Sequence, residues 1–199
     1  MKEKQFYKRN LPHWQPIGGT FSITFRLHGS LPKEEVNQLL EASKLFKSNW
    51  TLEEWDAYFN KFDALLDRPV TGPTWLEEIP IAHIIIDALH FKDDTEYRLI
   101  AFCIMKNHVH LIIDQIKKPL FRILQSLKGF TARRCNELLD RTNHPFWQKE
   151  SYDHLIRNDQ DLTQHLNYLV YNPVLAGQIA FWQDYPFTYI HPEFRKYII

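Results

Sequence analysis

The alternation of apolar and polar side chains predicts four strands. From residue 20 to residue 27 every second side chain is apolar, which is the period of a strand with one buried face. Two further strands are predicted at Tyr97–Met105 and His108–Asp114, and only residues 106–107 link them. Because a two-residue link joins antiparallel neighbours, these two strands form a hairpin. The fourth predicted strand covers residues 151–157.

Apolar residues spaced three and four apart predict the helices. The predicted helices span residues 33–47, 51–66, 80–91, 119–139 and 159–172. Pro119 lies at the first position of the fourth helix, where a missing N–H is harmless, and Pro173 is expected to end the fifth. The core-facing side of the fourth helix is predicted to consist of Leu120, Ile123, Leu124, Leu127 and Phe130.

The order of these elements indicates an α+β fold. It runs strand, helices, strand, strand, helix, strand, helix, which is typical of split βαβ proteins with a mostly antiparallel sheet backed by helices. The helical pair over residues 33–66 is interpreted as an insertion after the first strand. We expect one domain over residues 1–199, with a tail over 173–199 packed on the core. The basic, aromatic arm at 1–16 either follows a nucleic-acid backbone or is a solvated terminus.

Bulk composition narrows the class of protein. Of the 199 residues, 44% are hydrophobic and 15% are aromatic, which is too apolar for a disordered chain. Lys plus Arg and Asp plus Glu are both 24, so the net charge is zero and only a local patch can favour nucleic acid. The chain has only two cysteines, and its sequence shows neither an apolar signal segment nor a spanning helix. We therefore expect a reduced, cytoplasmic protein that does not enter a membrane.

The sharpest candidate site is the stretch His108-Val109-His110. Because side chains alternate along a strand, His108 and His110 share one face, while Val109 and Leu111 point to the other. Two imidazoles on one rigid strand make half of a metal site. The motif is short enough to arise by chance in a chain with 10 histidines, so metal binding and a structural role both stay open at this point.

The last predicted helix carries a polar stripe. Asp161, His165, Tyr168 and Asn172 follow at spacings that place them on one side of the helix, apart from its apolar stripe. A phenol nucleophile and an oxygen ligand one turn apart suit metal-assisted phosphoryl transfer. A surface helix with a half-exposed tyrosine is the other interpretation of the same spacing.

Basic residues concentrate on the fourth predicted helix and on the loop before it. Arg122, Ser126, Gly129 and Arg133 share one face, where small residues between arginines permit close approach of a phosphate backbone. A solvated helix face explains the pattern equally well. The candidate DNA-binding residues are Lys117, Lys118, Arg122, Lys128, Arg133 and Arg134.

Several sequence blocks together resemble one family. The stretch MKNHVHL at 105–111 resembles the MPNHVHLL signature of single-tyrosine HUH transposases, with Lys106 in place of the usual proline. Three further stretches are similar to successive blocks of the REP-associated tyrosine transposases and come in the same order. They are SLKGFTARRCNELL at 126–139, FWQKESYDHLIRN at 146–158 and HLNYLVYNPVLAGQI at 165–179. Ordered blocks are far more specific than a lone motif, so the chain is identified as resembling this family.

The resemblance implies a fold, a reaction and a substrate. The implied fold is ferredoxin-like, with a central antiparallel sheet. One tyrosine attacks a DNA phosphate and leaves a 5′-phosphotyrosine and a free 3′-OH, and the substrate is single-stranded DNA folded into imperfect hairpins. Matching the motifs residue by residue makes Tyr168 the nucleophile, His108 and His110 the metal ligands, and Asn172 the third ligand.

The resemblance also implies a divalent cation, Mg²⁺ or Mn²⁺. Two imidazoles suit Mn²⁺ better than Mg²⁺, which prefers oxygen donors, so we expect Mn²⁺ to support the stronger activity in vitro. Related insertion-sequence transposases exchange tyrosine helices within a homodimer, whereas the REP-associated group is implied to act as a monomer. Both oligomeric states stay open.

Two other functions fit parts of the pattern. A domesticated protein without catalysis would keep hairpin binding, but the intact His108, His110 and Tyr168 favour an enzyme. A metal-dependent phosphodiesterase that uses activated water would share the histidines without needing Tyr168. A covalent protein–DNA adduct separates these functions, because only the tyrosine enzyme forms one.

Overall fold

The computed structural model describes residues 6–8, 12–32 and 72–199, together with ten positions between 34 and 66. All ten of those positions are helical, and the rest of the predicted insertion at 33–66 lies outside the described residues. The strands are β1 Phe6–Lys8, β2 Pro12–Trp14, β3 Thr20–Arg26, β4 Arg98–Ile104, β5 His108–Asp114, β6 Tyr152–Ile156 and β7 Thr188–Ile190. The long helices are α1 Ile79–Lys92, α2 Leu120–Leu138 and α3 Asp159–Leu175.

Five strands form one sheet in the order β6-β3-β5-β4-β7, and every neighbouring pair is antiparallel. Because β3, α1, β4, β5, α2 and β6 follow one another along the chain, they form the two interleaved βαβ units of a ferredoxin-like fold. The predicted α+β fold is therefore confirmed. Sequence analysis did not predict β7, which adds an edge strand from the tail, or the separate ribbon of β1 and β2 within the arm.

The predicted hairpin of β4 and β5 lies at the centre of the sheet. The backbone N–H of Met105 donates to the carbonyl of His108 at 2.8 Å, so residues 106–107 are the whole link. Leu27 N–H, just beyond β3, donates to the carbonyl of Asn107 at 2.8 Å and holds the hairpin turn against the end of β3. The turn is thus fixed from two sides, and the strand that begins at His108 starts from a rigid point.

One face of the sheet is apolar. The register pairs Phe25 with Val109, Ile23 with Leu111, and Phe21 with Ile113, and all six side chains are buried in one core cluster. Helices α1 and α2 cover this face with buried leucine and isoleucine side chains, including Leu89 and Leu127. Burial of apolar area at about 25 cal/mol per Å² makes this face the main source of folding free energy.

The opposite face is covered by α3 and carries polar side chains among apolar ones. Pairing of β3 with β5 brings Arg26 opposite His108 and Thr24 opposite His110. The rest of this face is buried in a second core cluster, which is formed by side chains from the sheet, from α3 and from the tail. The members of this second cluster include Ala101, Cys103, Ile112, Leu162, Leu166, Leu169 and Phe194.

Two helix predictions need correction. Phe130 does not face the core, since 45% of its side chain is exposed. Thr131 takes the inward position instead and accepts a hydrogen bond from the indole of Trp147 at 2.9 Å, which gives its hydroxyl a buried partner. Pro173 does not end α3 but lies inside it, because the Ala176 N–H still bonds to the carbonyl of Asn172 and closes the last turn.

Among the described residues, none of the helices is both long and apolar enough to cross a membrane.

Candidate active site

The histidine pair lies on β5, the strand between β3 and β4. Both side chains are at least 97% buried, and they point to the sheet face that α3 covers. Nε2 of His108 and Nε2 of His110 are 2.9 Å apart, with the two rings perpendicular. The shared face predicted from strand alternation therefore brings the two ring nitrogens to the distance of neighbouring ligands on one ion.

A polar neighbour orients each imidazole through its other nitrogen. Nδ1 of His108 lies 2.7 Å from Oδ1 of Asn107, an oxygen that can only accept, so Nδ1 carries the proton. The Asn107 amide is itself oriented, because its Nδ2 donates to the carbonyl of Leu66 at 3.1 Å. Nδ1 of His110 lies 3.0 Å from the hydroxyl of Thr24, which can accept from it or donate to it. The Nε2 atoms of the two rings lie within hydrogen-bond distance of each other, and the partners on Nδ1 orient the rings as outer hydrogen bonds do in metal sites.

Sequence reasoning missed both orienting residues. Asn107 directly precedes the motif in the hairpin link, and Thr24 is one of the polar positions in the alternation of β3. A long-range strand register is needed to bring Thr24 opposite His110, and no local pattern contains it. Arg26 was missed for the same reason: it is buried opposite His108 and donates to Ser30 Oγ at 3.1 Å.

The electrostatics of the pair fit a bound cation. Burial, followed by the charge of neighbouring groups, holds the pKa of His108 well below its ordinary value and lowers the pKa of His110 to about 3. Neutral imidazoles are the form that binds metals. Two nitrogens at about 2.1 Å from one ion and at right angles to each other lie about 3.0 Å apart, close to the separation of this pair. The donor set therefore fits a divalent cation.

Tyr168 lies beside the pair. It is half-buried on α3, and its ring meets the His110 ring edge-on with 5.6 Å between centroids. Two other tyrosines lie close to these motifs in the sequence. Tyr152 is buried on β6 in register with Thr24, and the Tyr171 hydroxyl, on α3 like Tyr168, donates to the carbonyl of Ile199 at 3.2 Å. Of the two tyrosines on α3, the one on the predicted polar stripe is the one whose ring contacts His110.

Asn172 lies one turn beyond Tyr168 but is not on a solvated stripe. It is fully buried, and neither Oδ1 nor Nδ2 has a hydrogen-bond partner among the described residues. An unsatisfied buried amide costs about 1–3 kcal/mol, so a ligand for this oxygen would remove a real penalty. The predicted third ligand therefore has the chemistry that a cation needs.

Four of the six predicted DNA-binding residues lie on α2, which is not on the same face of the sheet as the histidines. Helix α2 packs on the apolar face, whereas Tyr168 and the histidine pair lie on the other. Arg122 and Arg133 are exposed, each with its guanidinium near the ring of an exposed phenylalanine, Phe121 and Phe130.

The remaining basic residues already have partners. Lys128 donates to the carbonyl of Gln148 at 2.7 Å and to Ser151 Oγ at 2.9 Å, so it fastens α2 to the segment before β6. Lys118 pairs with Glu96 at 3.0 Å, Arg134 pairs with Glu137 at 3.2 Å, and Lys117 donates to the carbonyl of Asp94. Arg122 also donates to Gln125 at 3.3 Å, and the ion pairs of Lys118 and Arg134 are exposed and weak, so only Lys128 is made a poorer candidate for phosphate contact by its partners.

A fold neighbour defines the structural class. A solved structure of a REP-associated tyrosine transposase bound to a REP hairpin superposes with a TM-score of 0.53, covering 94% of this chain and 82% of that chain at 20% identity. The match shows that this chain has the α+β fold of a tyrosine transposase.

Sequence comparison finds similarity to one family. Residues 83–169 match the family described as Transposase IS200 like. A protein of Haemophilus influenzae, provisionally named a REP-associated tyrosine transposase, is 30% identical over 112 residues, and the REP-associated tyrosine transposase of Escherichia coli K12 is 26% identical over 121 residues. The resemblance predicted from the sequence blocks is therefore confirmed.

These alignments cover 51% and 58% of this chain. They span 64% and 66% of the two relatives, so the similarity extends over somewhat less than two thirds of each.

Proposed function

We propose that this chain cuts and rejoins single-stranded hairpin DNA, with Tyr168 as the nucleophile. The observation that carries the proposal is the edge-on contact of the Tyr168 ring with His110, 5.6 Å between centroids, beside two facing Nε2 atoms. Support for the proposal comes from two buried imidazoles whose pKa values are lowered by burial, from the phenol beside them, and from an unsatisfied amide one turn after Tyr168 on α3. A nucleophilic phenol beside ligands for a cation suits phosphoryl transfer better than the phenol or the ligands would alone.

His108, His110 and Asn172 would hold one divalent cation, Mg²⁺ or Mn²⁺. When bound, the cation supplies positive charge for the phosphate oxygens as negative charge develops on them. Two nitrogen donors and one oxygen donor favour Mn²⁺. Thr24 and Asn107 hold the two rings in the orientation that this requires.

The chemical step exchanges one ester bond for another. The phenolic oxygen of Tyr168 forms a bond to the phosphorus of a DNA phosphate, and the bond from that phosphorus to the 3′ oxygen of the preceding nucleotide breaks. The departing oxygen takes up a proton and becomes a 3′-OH, while the phenol loses its proton. Because a free phenol has a pKa near 10, positive charge beside the ring is needed to favour the phenolate. Attack of a 3′-OH on the phosphotyrosine reverses the step and rejoins the strand.

DNA contact is assigned first to Arg122 and Arg133. Their guanidinium groups can pair with phosphates, while the exposed rings of Phe121 and Phe130 offer a surface on which unpaired bases stack. Since α2 and α3 cover opposite faces of the sheet, a DNA molecule that touches both helices must pass around an edge of the sheet.

The substrate class comes from the similar proteins. A fold neighbour was solved with a REP hairpin, and two relatives carry the name REP-associated tyrosine transposase, so we propose a hairpin of this type for the present chain. We further propose that it acts in the cytoplasm, as a monomer or a homodimer, with residues 1–199 forming one domain.

The test is covalent trapping. Labelled single-stranded hairpins, taken from DNA that flanks the gene, are incubated with the protein and Mn²⁺ and run on a denaturing gel. Wild type and Tyr171→Phe are expected to form a protein–DNA adduct, and Tyr168→Phe is expected to form none. The double variant His108→Ala/His110→Ala should also form none, although Val109 and Leu111 keep β5 anchored.

Each other outcome has its own meaning. An adduct that survives Tyr168→Phe would refute this nucleophile. Cleavage without an adduct would identify a phosphodiesterase that uses activated water. Tight hairpin binding without cleavage in Mn²⁺ or Mg²⁺ would identify a binding protein that has lost catalysis.

A further inference from the structure

We propose that His154, Asp161 and His165 form a second cation site, separate from the histidine pair of β5. Its ligand is a divalent first-row transition ion of the Zn²⁺ type, and its role is to fasten helix α3, which carries Tyr168, to strand β6. The proposal does not depend on the proposed DNA chemistry, because it concerns side chains that this chemistry does not use.

The distances between the three donors match a metal site. Nε2 of His154 lies 3.1 Å from Oδ2 and 3.2 Å from Oδ1 of Asp161, and Nε2 of His165 lies 3.4 Å from Oδ1. One ligand atom from each residue lies within 4.8 Å of the others. Tetrahedral ligands at about 2.0–2.1 Å from one ion are about 3.3 Å apart, so the distances from Asp161 to the two imidazole nitrogens match such a set.

Two rigid elements hold these donors. His154 is buried on β6, where its backbone pairs with Ser22 of β3. Asp161 lies in the first turn of α3, where its Oδ2 accepts from the backbone N–H of Arg157 at 3.1 Å. Its own N–H donates to the N-cap side chain of Asn158 at 2.9 Å. His165 follows one turn later on the same side of the helix.

The charges of the cluster favour a single shared cation. The carboxylate of Asp161 is the common partner of both imidazoles, 3.1 Å from Nε2 of His154 and 3.4 Å from Nε2 of His165. The two imidazole rings are stacked, 4.4 Å between centroids and 30° between planes. One metal ion would neutralise the carboxylate and accept a nitrogen lone pair from each ring.

The position of the cluster between β6 and α3 indicates a structural role for a bound cation. A cation bound there joins β6 to the first two turns of α3, and Tyr168 follows His165 by three residues. The site lies near the histidine pair, since the ring of Tyr168, one turn after His165, meets the His110 ring with 5.6 Å between centroids. A cation bound at this point would restrict movement of α3, the helix that holds Tyr168 beside the histidine pair.

Metal stoichiometry of the full chain tests the proposal. Metal-free protein is titrated with Co²⁺, whose visible absorption reports low-coordinate nitrogen and oxygen sites, and separately with Zn²⁺ while the melting temperature is recorded. The variant His108→Ala/His110→Ala keeps only the second site and is expected to bind one equivalent of Co²⁺. Zn²⁺ is expected to raise its melting temperature.

The matched comparison is Asp161→Asn against Asp159→Asn, both in that double-alanine background. Both changes remove one negative charge from the first turn of α3, but Asp159 is exposed and lies outside the cluster. Asp161→Asn is expected to abolish the bound equivalent and the Zn²⁺ shift, and Asp159→Asn to keep both. His165→Gln gives a second test, because it leaves the bond between Asp161 and Arg157 intact.

Three results would overturn the second site. One is a double-alanine variant that binds no Co²⁺ below about 100 µM, which corresponds to less than roughly 5.5 kcal/mol of binding. Another is equal binding by the Asp161→Asn and Asp159→Asn variants. The third is full binding by His165→Gln. None of these results bears on adduct formation by Tyr168, so failure here is distinguishable from failure of the proposed function.

Discussion

The two faces of the central sheet are built from alternate residues of the same strands, yet they differ in almost everything else. Val109 and Leu111 on one side of β5 are sealed under α1 and α2 among other apolar side chains. His108 and His110 on the other side are equally buried, but each needs a specific polar partner. Burial alone therefore does not separate a stabilising residue from a functional one; the chemistry of the neighbours does.

The difference has a thermodynamic reason. Apolar side chains gain free energy from burial wherever they pack well, while a buried polar group costs free energy unless it is paired. The helix that covers the polar face carries an unsatisfied buried amide at Asn172, and the face itself buries two imidazoles, which need polar partners. Groups of this kind are retained where a ligand completes them, so the polar face is the weaker part of the metal-free fold.

The largest effect on stability is expected when one residue on each face of β5 is replaced and the two variants are compared. Leu111→Ala should lower the free energy of unfolding by about 2–5 kcal/mol, because it leaves a cavity in the apolar core. His110→Gln should change it by less than about 1 kcal/mol in EDTA, because the amide can still meet Thr24. Urea denaturation of both variants, with adduct formation measured on the folded protein, checks the contrast.

The two variants should show the opposite order when adduct formation is measured instead of stability. We expect Leu111→Ala to retain adduct formation at low temperature and His110→Gln to lose it. Equal losses of stability in the two variants would mean that burial on the two faces contributes equally to the free energy of unfolding.

An intermediate effect is expected at Asn172. Asn172→Leu should raise the free energy of unfolding by about 1 kcal/mol in EDTA, because it removes a buried amide without partners. The same change should weaken Mn²⁺ binding, since an oxygen ligand is lost.

The matched control on the same helix is Asn167→Leu. The Asn167 side chain donates to the carbonyls of Thr163 and Tyr197 and accepts from the N–H of Ile199, so this change should destabilise the protein. A stability loss in Asn172→Leu as large as in Asn167→Leu would contradict the assignment of Asn172 as an unsatisfied group that awaits a ligand.

The smallest effect is expected on the outer surface of α2, the helix that covers the apolar face. Arg133→Gln should leave stability unchanged, weaken hairpin binding a few-fold and reduce the dependence of log affinity on log salt by about one unit, because one phosphate contact is lost. Its effect should fall on KM and not on kcat, since Tyr168 lies on the other face of the sheet.

Lys128→Gln serves as the comparison on the same helix. Lys128 donates to Gln148, Lys149 and Ser151, so its loss should lower stability by about 1–2 kcal/mol and change the salt slope less than Arg133→Gln does. Fluorescence anisotropy with labelled hairpins over a range of salt concentrations measures both slopes. A larger change of slope in Lys128→Gln would reassign the phosphate contact.

Local periodicity was enough to predict the strands and helices that carry the candidate site. Strand alternation put His108 and His110 on one face, and helical spacing put Tyr168 on one side of its helix with His165, because both patterns depend only on neighbours along the chain. The same reasoning erred at Phe130 and Pro173. The inward position there was taken by Thr131, and the last turn of α3 closed beyond the proline, both through contacts that only the packed molecule provides.

Tertiary structure alone decided which residues meet across the sheet. Thr24 and His110 are 86 residues apart and come together through the register of β3 with β5, and His154 meets Asp161 and His165 only because α3 folds back over β6. The sequence also left open which face α2 would cover, and the packed core placed its arginines away from Tyr168. Short-range patterns determine how a segment folds and which way its side chains alternate, whereas long-range pairing determines which of those side chains become neighbours.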